Sequence, residues 1–215
     1  MDSRAFYGRW AGVYDNLAAA PGVKSWRERA VAGLGLAPDD TVVEMGCGTG
    51  ANVPHLRECV GNGGEIVGVD VTRRMLRRAR NHGDRTGTGI HYLQADASRP
   101  PVSTADAVLA TFVVGVFGDP AAVVRQWCDL VGTGGRVALL NFQRSDRSLA
   151  APLNLAFEAF VRFSAPGGRL SRSSQAAAFE RRVGAARDAL RERTGGTRFE
   201  TFAGGYVGLL SGRVA

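Results

Sequence analysis

Residues 41 to 51 read Thr41-Val42-Val43-Glu44-Met45-Gly46-Cys47-Gly48-Thr49-Gly50-Ala51. The first five are short, β-branched and mostly apolar, and a glycine cluster follows at once, which predicts a buried strand over Thr41 to Met45. Glycines at 46, 48 and 50 let the chain turn tightly. They also let backbone N–H groups approach a ligand at the N-terminus of the next helix, read over Ala51 to Val60. Doubly wound sheets bind ligands at the carboxyl ends of their strands beside the topological switch point, where a first strand and its loop belong.

The same alternation runs outward in both directions. Strands are predicted at Glu65 to Asp70, Ile90 to Ala95, Ala105 to Thr111 and Arg136 to Phe142. Helices are predicted at Val23 to Leu34, Thr72 to Asn81 and Asp119 to Val131. Repeated strand and helix units imply a parallel sheet with right-handed crossovers and helices on both faces, a doubly wound α/β architecture. Upstream, Phe6, Trp10, Val13 and Leu17 form the stripe of an amphipathic helix over residues 4 to 17. Downstream come an apolar segment from Leu149 to Phe163, an Arg-rich helix from Ser173 to Arg193, and two strand-like runs joined at Gly204-Gly205. That glycine pair suits a tight hairpin and predicts an antiparallel final strand.

With 215 residues, 45% of them hydrophobic, the chain can bury one substantial core. It reads as a single domain over 1 to 215, with an N-terminal helical lid over about 1 to 35 and a cap insertion over about 147 to 193. No apolar run is long enough to span a bilayer, and the first residues lack a signal pattern, so a soluble cytoplasmic protein is expected. Cys47, Cys59 and Cys128 are scattered and odd in number, which indicates neither a disulfide framework nor a metal site. The net charge of +7 comes mainly from arginine. Arg73, Arg74, Arg77, Arg78 and Arg80 spread around a helix without interleaved aromatics, so no nucleic-acid partner is expected. Peripheral contact with an anionic membrane surface stays open, and oligomeric state is not indicated.

Glycine spacing alone does not choose the ligand, because Gly46, Gly48 and Ala51 also satisfy the loose dinucleotide pattern, with Asp70 about twenty residues on. Glu44 bears on the choice. A carboxylate there is unfavourable beside a pyrophosphate and favourable beside ammonium or sulfonium charge. S-adenosylmethionine carries both and no phosphate. Its carboxylate suits the loop N–H groups, Asp70 suits two ribose hydroxyls, and Asp96, ending the third strand, suits the adenine amino group.

The runs VVEMGCGTGANVPHL, GVDVTRRML, LQADAS, DAVLATFVV and VGTGGRVALLNF resemble the class I (Rossmann-like) S-adenosylmethionine-dependent methyltransferases of the ubiquinone/menaquinone and related small-molecule type, over roughly residues 5 to 145. The resemblance implies a mostly parallel seven-stranded sheet with an antiparallel last strand. It implies cofactor contacts from Glu44, Gly46, Gly48, Asp70, Asp96 and Thr111, an adenosine pocket lined by Val71, Met75 and Ala97, and a tyrosine, matched by Tyr14, lying over the cofactor. Cys47, Gly50, Asn52 and Phe112 complete the candidate cofactor set. Quinone C-methyltransferases carry an Arg-Asn pair after the fourth strand where this chain reads TFVVGVFGD, so a quinone acceptor is not carried over, and the motif of amino methylases acting on DNA bases is absent.

Methyl transfer from a sulfonium needs alignment and exclusion of water, not a metal or a covalent residue. No catalytic base is assigned. For the acceptor, Leu153, Phe157, Phe160 and Val161 share a helical face, and Phe112 and Phe117 are expected to face Phe157 and Phe160 in an apolar pocket. Arg162, Arg169 and Arg172 are expected at its rim. A small lipophilic or aromatic acceptor with an acidic or phosphate-bearing end follows. Two other functions fit the same glycine loop: an NAD-dependent oxidoreductase and a non-catalytic module that binds S-adenosylmethionine.

Overall fold

The computed structural model describes residues 21–83, 88–144 and 172–215. Along the chain these form α1 (Pro21–Ala32), β1 (Thr41–Met45), α2 (Val53–Val60), β2 (Glu65–Asp70), α3 (Arg73–Gly83), β3 (Ile90–Gln94) and β4 (Ala107–Thr111). A short 3-10 turn (Val114–Val116) leads to α4 (Pro120–Val131), β5 (Arg136–Phe142), α5 (Arg172–Arg193), β6 (Thr194–Phe202) and β7 (Val207–Val214). The strands make one seven-stranded sheet in the order β3-β2-β1-β4-β5-β7-β6. β1 to β5 are parallel, while β7 runs antiparallel to both β5 and β6. The order reverses between β1 and β4, so the loop after β1 stands at the switch point.

Alternation along the strands assigns side chains to two layers. Val43, Met45, Val108, Ala110, Val137 and Leu139 face α4 and α5, meeting Val124, Trp127, Val183 and Leu190. Val42, Leu109, Ala138 and Leu140 face α1 and α2, meeting Val31, Val53 and Leu56. α4 starts where Asp119 accepts a hydrogen bond from the Ala122 N–H at 3.0 Å with Pro120 next in line, a cap that contributes about 1 kcal/mol. The β6–β7 connection is a 3-10 turn over Ala203–Gly205, in which Gly204 takes φ 66°.

α5 corrects part of the expected cap. Val183, Ala186, Ala189 and Leu190 bury against the sheet beside α4, so this part of the helix packs as core and leads into the terminal hairpin. Tyr14 and the helix expected over 4 to 17 lie outside the described residues, as do Phe157, Phe160, Arg162 and Arg169. Among the described residues no helix is long and apolar enough to cross a membrane, and no cluster of His, Cys, Asp or Glu could hold a metal ion.

Candidate functional site

Glu44 is buried at the carboxyl end of β1, on the α1/α2 face. Its Oε1 accepts a 2.6 Å hydrogen bond from Asn52 Nδ2. Asn52 occupies the N-cap position of α2 yet makes no side-chain capping bond; the Oδ1 that would accept one faces the Arg27 guanidinium instead. The same Nδ2 donates to Thr111 Oγ1 at 3.1 Å. Arg27, reaching in from α1, donates through Nη1 to Asn52 Oδ1 at 3.1 Å and Thr111 Oγ1 at 3.2 Å. With two donors on its oxygen, the Thr111 O–H is left to donate.

Among the described residues, neither the buried Glu44 Oε2 nor the buried Arg27 Nε has a hydrogen-bond partner. Burial pushes the Glu44 carboxyl up to about 7, against the downward pull of the Asn52 hydrogen bond and the Arg27 charge. Burial in turn lowers the Arg27 guanidinium, opposed by Glu44.

The glycine loop wraps back onto the second strand. Gly46 and Cys47 donate their N–H groups to the Val69 carbonyl at 2.8 and 3.0 Å, which commits two of the N–H groups expected to meet a ligand. Gly48 donates to Asp70 Oδ2 at 3.0 Å, and Thr72 donates to Oδ1 at 2.7 Å. Asp70 therefore ties the loop to the second strand end. The Thr72 side chain adds a third bond, and because that hydroxyl can rotate, up to two acceptor sites of the carboxylate can meet a diol. Burial raises its pKa, opposed by the Thr72 and Gly48 N–H groups and the Thr72 side chain. The Cys47 thiol is pushed well above its ordinary value, by burial first and then by the Glu44 and Asp70 charges, so it is a packed neutral group.

Gly46 holds φ 70°, and a Cβ there would stand 2.7 Å from Val113 Cγ2. Left-handed backbone costs a side-chain-bearing residue about 1–2 kcal/mol before the clash. Gly46→Ala is expected to lower the melting temperature and to weaken ligand binding at the loop, read by differential scanning fluorimetry with and without ligand. Gly48, at φ 55°, has open space where a Cβ would be, while its N–H is taken by Asp70.

Asp96 is exposed and accepts from the Ser98 N–H at 2.8 Å, a turn-opening bond that leaves its second oxygen outward. Ala97 is buried behind it, its carbonyl accepting from Trp127 Nε1 at 2.9 Å. Met75 is buried at the start of α3, and Val71 is half-buried just before it.

The expected pairing of Phe112 and Phe117 in one wall is corrected. Phe112 holds φ 60°, stacks on Phe142 at 4.5 Å and carries the Arg27 guanidinium 5.5 Å above its ring, all on the α1/α2 face. Phe117 meets Trp127 edge-on at 5.8 Å on the other face. The left-handed turn at Phe112 sends the two rings to opposite layers. Arg27 was not legible beforehand, since it lies among Lys24, Glu28 and Arg29 and reads as part of a solvated helix face.

The sequence matches the family described as a methyltransferase domain over residues 42–135. It is 32% identical over 62% of its length to nocamycin O-methyltransferase of Saccharothrix syringae, spanning 48% of that protein. It is 30% identical to phosphatidylethanolamine N-methyltransferase of Cereibacter sphaeroides over 73% of this chain and 74% of that one. The chain belongs to the S-adenosylmethionine-dependent methyltransferases. Its fold is theirs: magnesium protoporphyrin IX methyltransferase from Synechocystis with bound SAH superposes with a TM-score of 0.64 at 18% identity, over 90% of this chain and 84% of that chain. S-adenosylmethionine is the family's cofactor. Among the described residues, the loop after β1 brings together the Glu44 carboxylate, whose Oε2 has no partner, the open side of Gly48 and the Asp70 carboxylate.

Proposed function

We propose that the protein transfers the methyl group of S-adenosylmethionine to a small lipophilic or aromatic acceptor. The observation that carries the cofactor half is the buried Glu44 Oε2, which has no partner among the described residues and can be satisfied by an ammonium group. When bound, the cofactor supplies a methyl group already activated by its sulfonium. Glu44 would hold the ammonium, Asn52, braced by Thr111 and Arg27, holds Glu44 in place, Asp70 would receive the ribose hydroxyls, and Val71, Met75 and Ala97 would enclose the adenine with Asp96 at its edge. Gly46, Cys47, Gly48 and Gly50 form the turn that brings these groups together. The acceptor half draws on relatives named for nocamycin, phosphatidylethanolamine and demethylmenaquinone, together with the apolar stripe of Leu153, Phe157 and Phe160. Tyr14 and residues 1 to 20 serve as the lid that excludes water.

The test is calorimetry with S-adenosylmethionine, S-adenosylhomocysteine and NADH, followed by acceptor screening with labelled cofactor. Binding of NADH alone overturns the reading. Asp70→Ala is expected to cost about 1.5–3 kcal/mol of S-adenosylhomocysteine affinity through two lost ribose bonds. Unchanged affinity in that variant removes Asp70 from the ribose site.

A further inference from the structure

Asn141, near the carboxyl end of β5, is fully buried, and among the described residues neither its Nδ2 nor its Oδ1 has a hydrogen-bond partner. It stands on the α4/α5 face, above Leu139 and Val137, which are ordinary core. A leucine at 141 would match its neighbours and leave nothing unsatisfied, so an amide held in this position without a partner calls for an occupant.

Its register partner in β7 is Gly208, and residues paired across antiparallel strands present the same face. The position a Gly208 Cβ would take is filled by Arg187 Nη2 from α5 and the Gln143 carboxamide. Arg187 therefore descends from α5 to the sheet at Gly208, across the strand pair from Asn141. Its guanidinium lies 5.0 Å over the Phe199 ring and donates only a long 3.4 Å bond to the Gly208 carbonyl, while its Nε is buried and unpartnered. Among the described residues no carboxylate lies within ion-pair distance. The elements facing it offer Gln143, Phe199 and Gly208, and the nearest charges are Arg191 and Asp188 on its own helix.

We infer that Asn141 and Arg187 together form the polar end of the acceptor site and receive an anionic oxygen of the acceptor. A half-buried cation without a counter-ion and a buried amide with free donors are both completed by an oxyanion, and Arg with Asn supplies directed N–H groups for one. Leu140 is in register with Thr111, so Asn141 lies one residue beyond the Glu44–Asn52–Thr111 network on the adjacent strand. Two strand spacings, about 10 Å, separate β5 from β1. The anion end is thus at the same rim as the cofactor loop but on the other face. Burial lowers the Arg187 guanidinium to about 10, which leaves it charged at neutral pH.

The inference rests on the methyltransferase reading, and the experiment separates the two. S-adenosylhomocysteine binding is measured first, and its absence counts against that reading alone. Calorimetric titrations with 1-hydroxy-2-naphthoate and its neutral amide are then run with and without S-adenosylhomocysteine. The acid is expected to bind at least about tenfold more tightly than the amide, the scale of one charge-assisted contact. Arg187→Gln and Asn141→Leu are each expected to remove that preference while leaving the S-adenosylhomocysteine Kd unchanged. Asn141→Asp, which keeps the shape and adds a repelling charge, is expected to bind the amide but not the acid. The assignment is overturned if acid and amide bind equally or neither binds. It is overturned too if Asn141→Leu raises the melting temperature while the preference persists, the signature of an amide met only by solvent.

Discussion

From about pH 4.5 to pH 7 the unliganded protein is expected to lose stability while its affinity for S-adenosylmethionine rises, and Glu44→Gln is expected to flatten both trends. Burial lifts the Glu44 carboxyl from 4.5 to about 7 in the folded chain. The folded state therefore holds a proton that the unfolded state has already released in this interval. A raised folded pKa contributes stability that is fully present below the unfolded pKa and is lost as pH climbs through the folded one. A shift of about 2.5 units corresponds to roughly 3 kcal/mol. The cofactor's ammonium needs the ionised form, so affinity should gain about tenfold per pH unit up to about 7 and then level off. Glutamine keeps the shape and the Asn52 neighbour without titrating. It is expected to bind about 10–150-fold more weakly at pH 8, the range for a lost charged hydrogen bond. Denaturant melts and calorimetry across pH, wild type against Glu44→Gln, check both slopes. Parallel slopes in the two proteins would remove Glu44 from the binding step.

Strand period and glycine punctuation carried the fold. Thr41–Met45, Glu65–Asp70 and Arg136–Phe142 have the bounds their β-branched and apolar runs predict, and Asp119-Pro120 marks the start of α4. Less visible was whatever depends on the third dimension. Asn52 stands in the candidate cofactor set, but its bond to the Glu44 carboxylate appears only once the start of α2 is folded beside β1. Arg27 sits among charged neighbours twenty-five residues from Asn52 and meets it only because α1 packs beside the α2 start. Phe112 and Phe117 have the spacing of one aromatic wall, but a positive φ at a phenylalanine is not written in the spacing, and it divides them between layers. Asn141 looks like one polar residue in an apolar strand, and its lack of partners becomes evident only once β7 and α5 are in place.

Trp127→Ala is expected to be the most destabilising single substitution in the described core. Trp127 is completely buried in α4, packs against the sheet with Val124 and Leu190, and meets Phe117 edge-on. Truncating a buried aromatic costs about 3–5 kcal/mol in lost transfer energy and cavity formation. The Ala97 carbonyl, which accepts the indole N–H at 2.9 Å, loses its partner as well, adding about 1–3 kcal/mol if it stays dry. At about 2–4 °C per kcal/mol for a chain of this size, a melting temperature lower by roughly 10 °C or more follows. Trp127→Phe separates the two parts: most of the packing remains and only the hydrogen bond is removed. In that variant the turn carrying Asp96 and Ala97 loses its tie to α4, on the side of the site given to adenine. Affinity for methylthioadenosine should therefore fall by the same factor as affinity for S-adenosylhomocysteine, because the damage lies in the half the two ligands share. A loss confined to S-adenosylhomocysteine would place the effect of Trp127 on the glycine loop instead of the Asp96 turn, and a Trp127→Ala melt within a few degrees of wild type would mean that the core closes over the cavity.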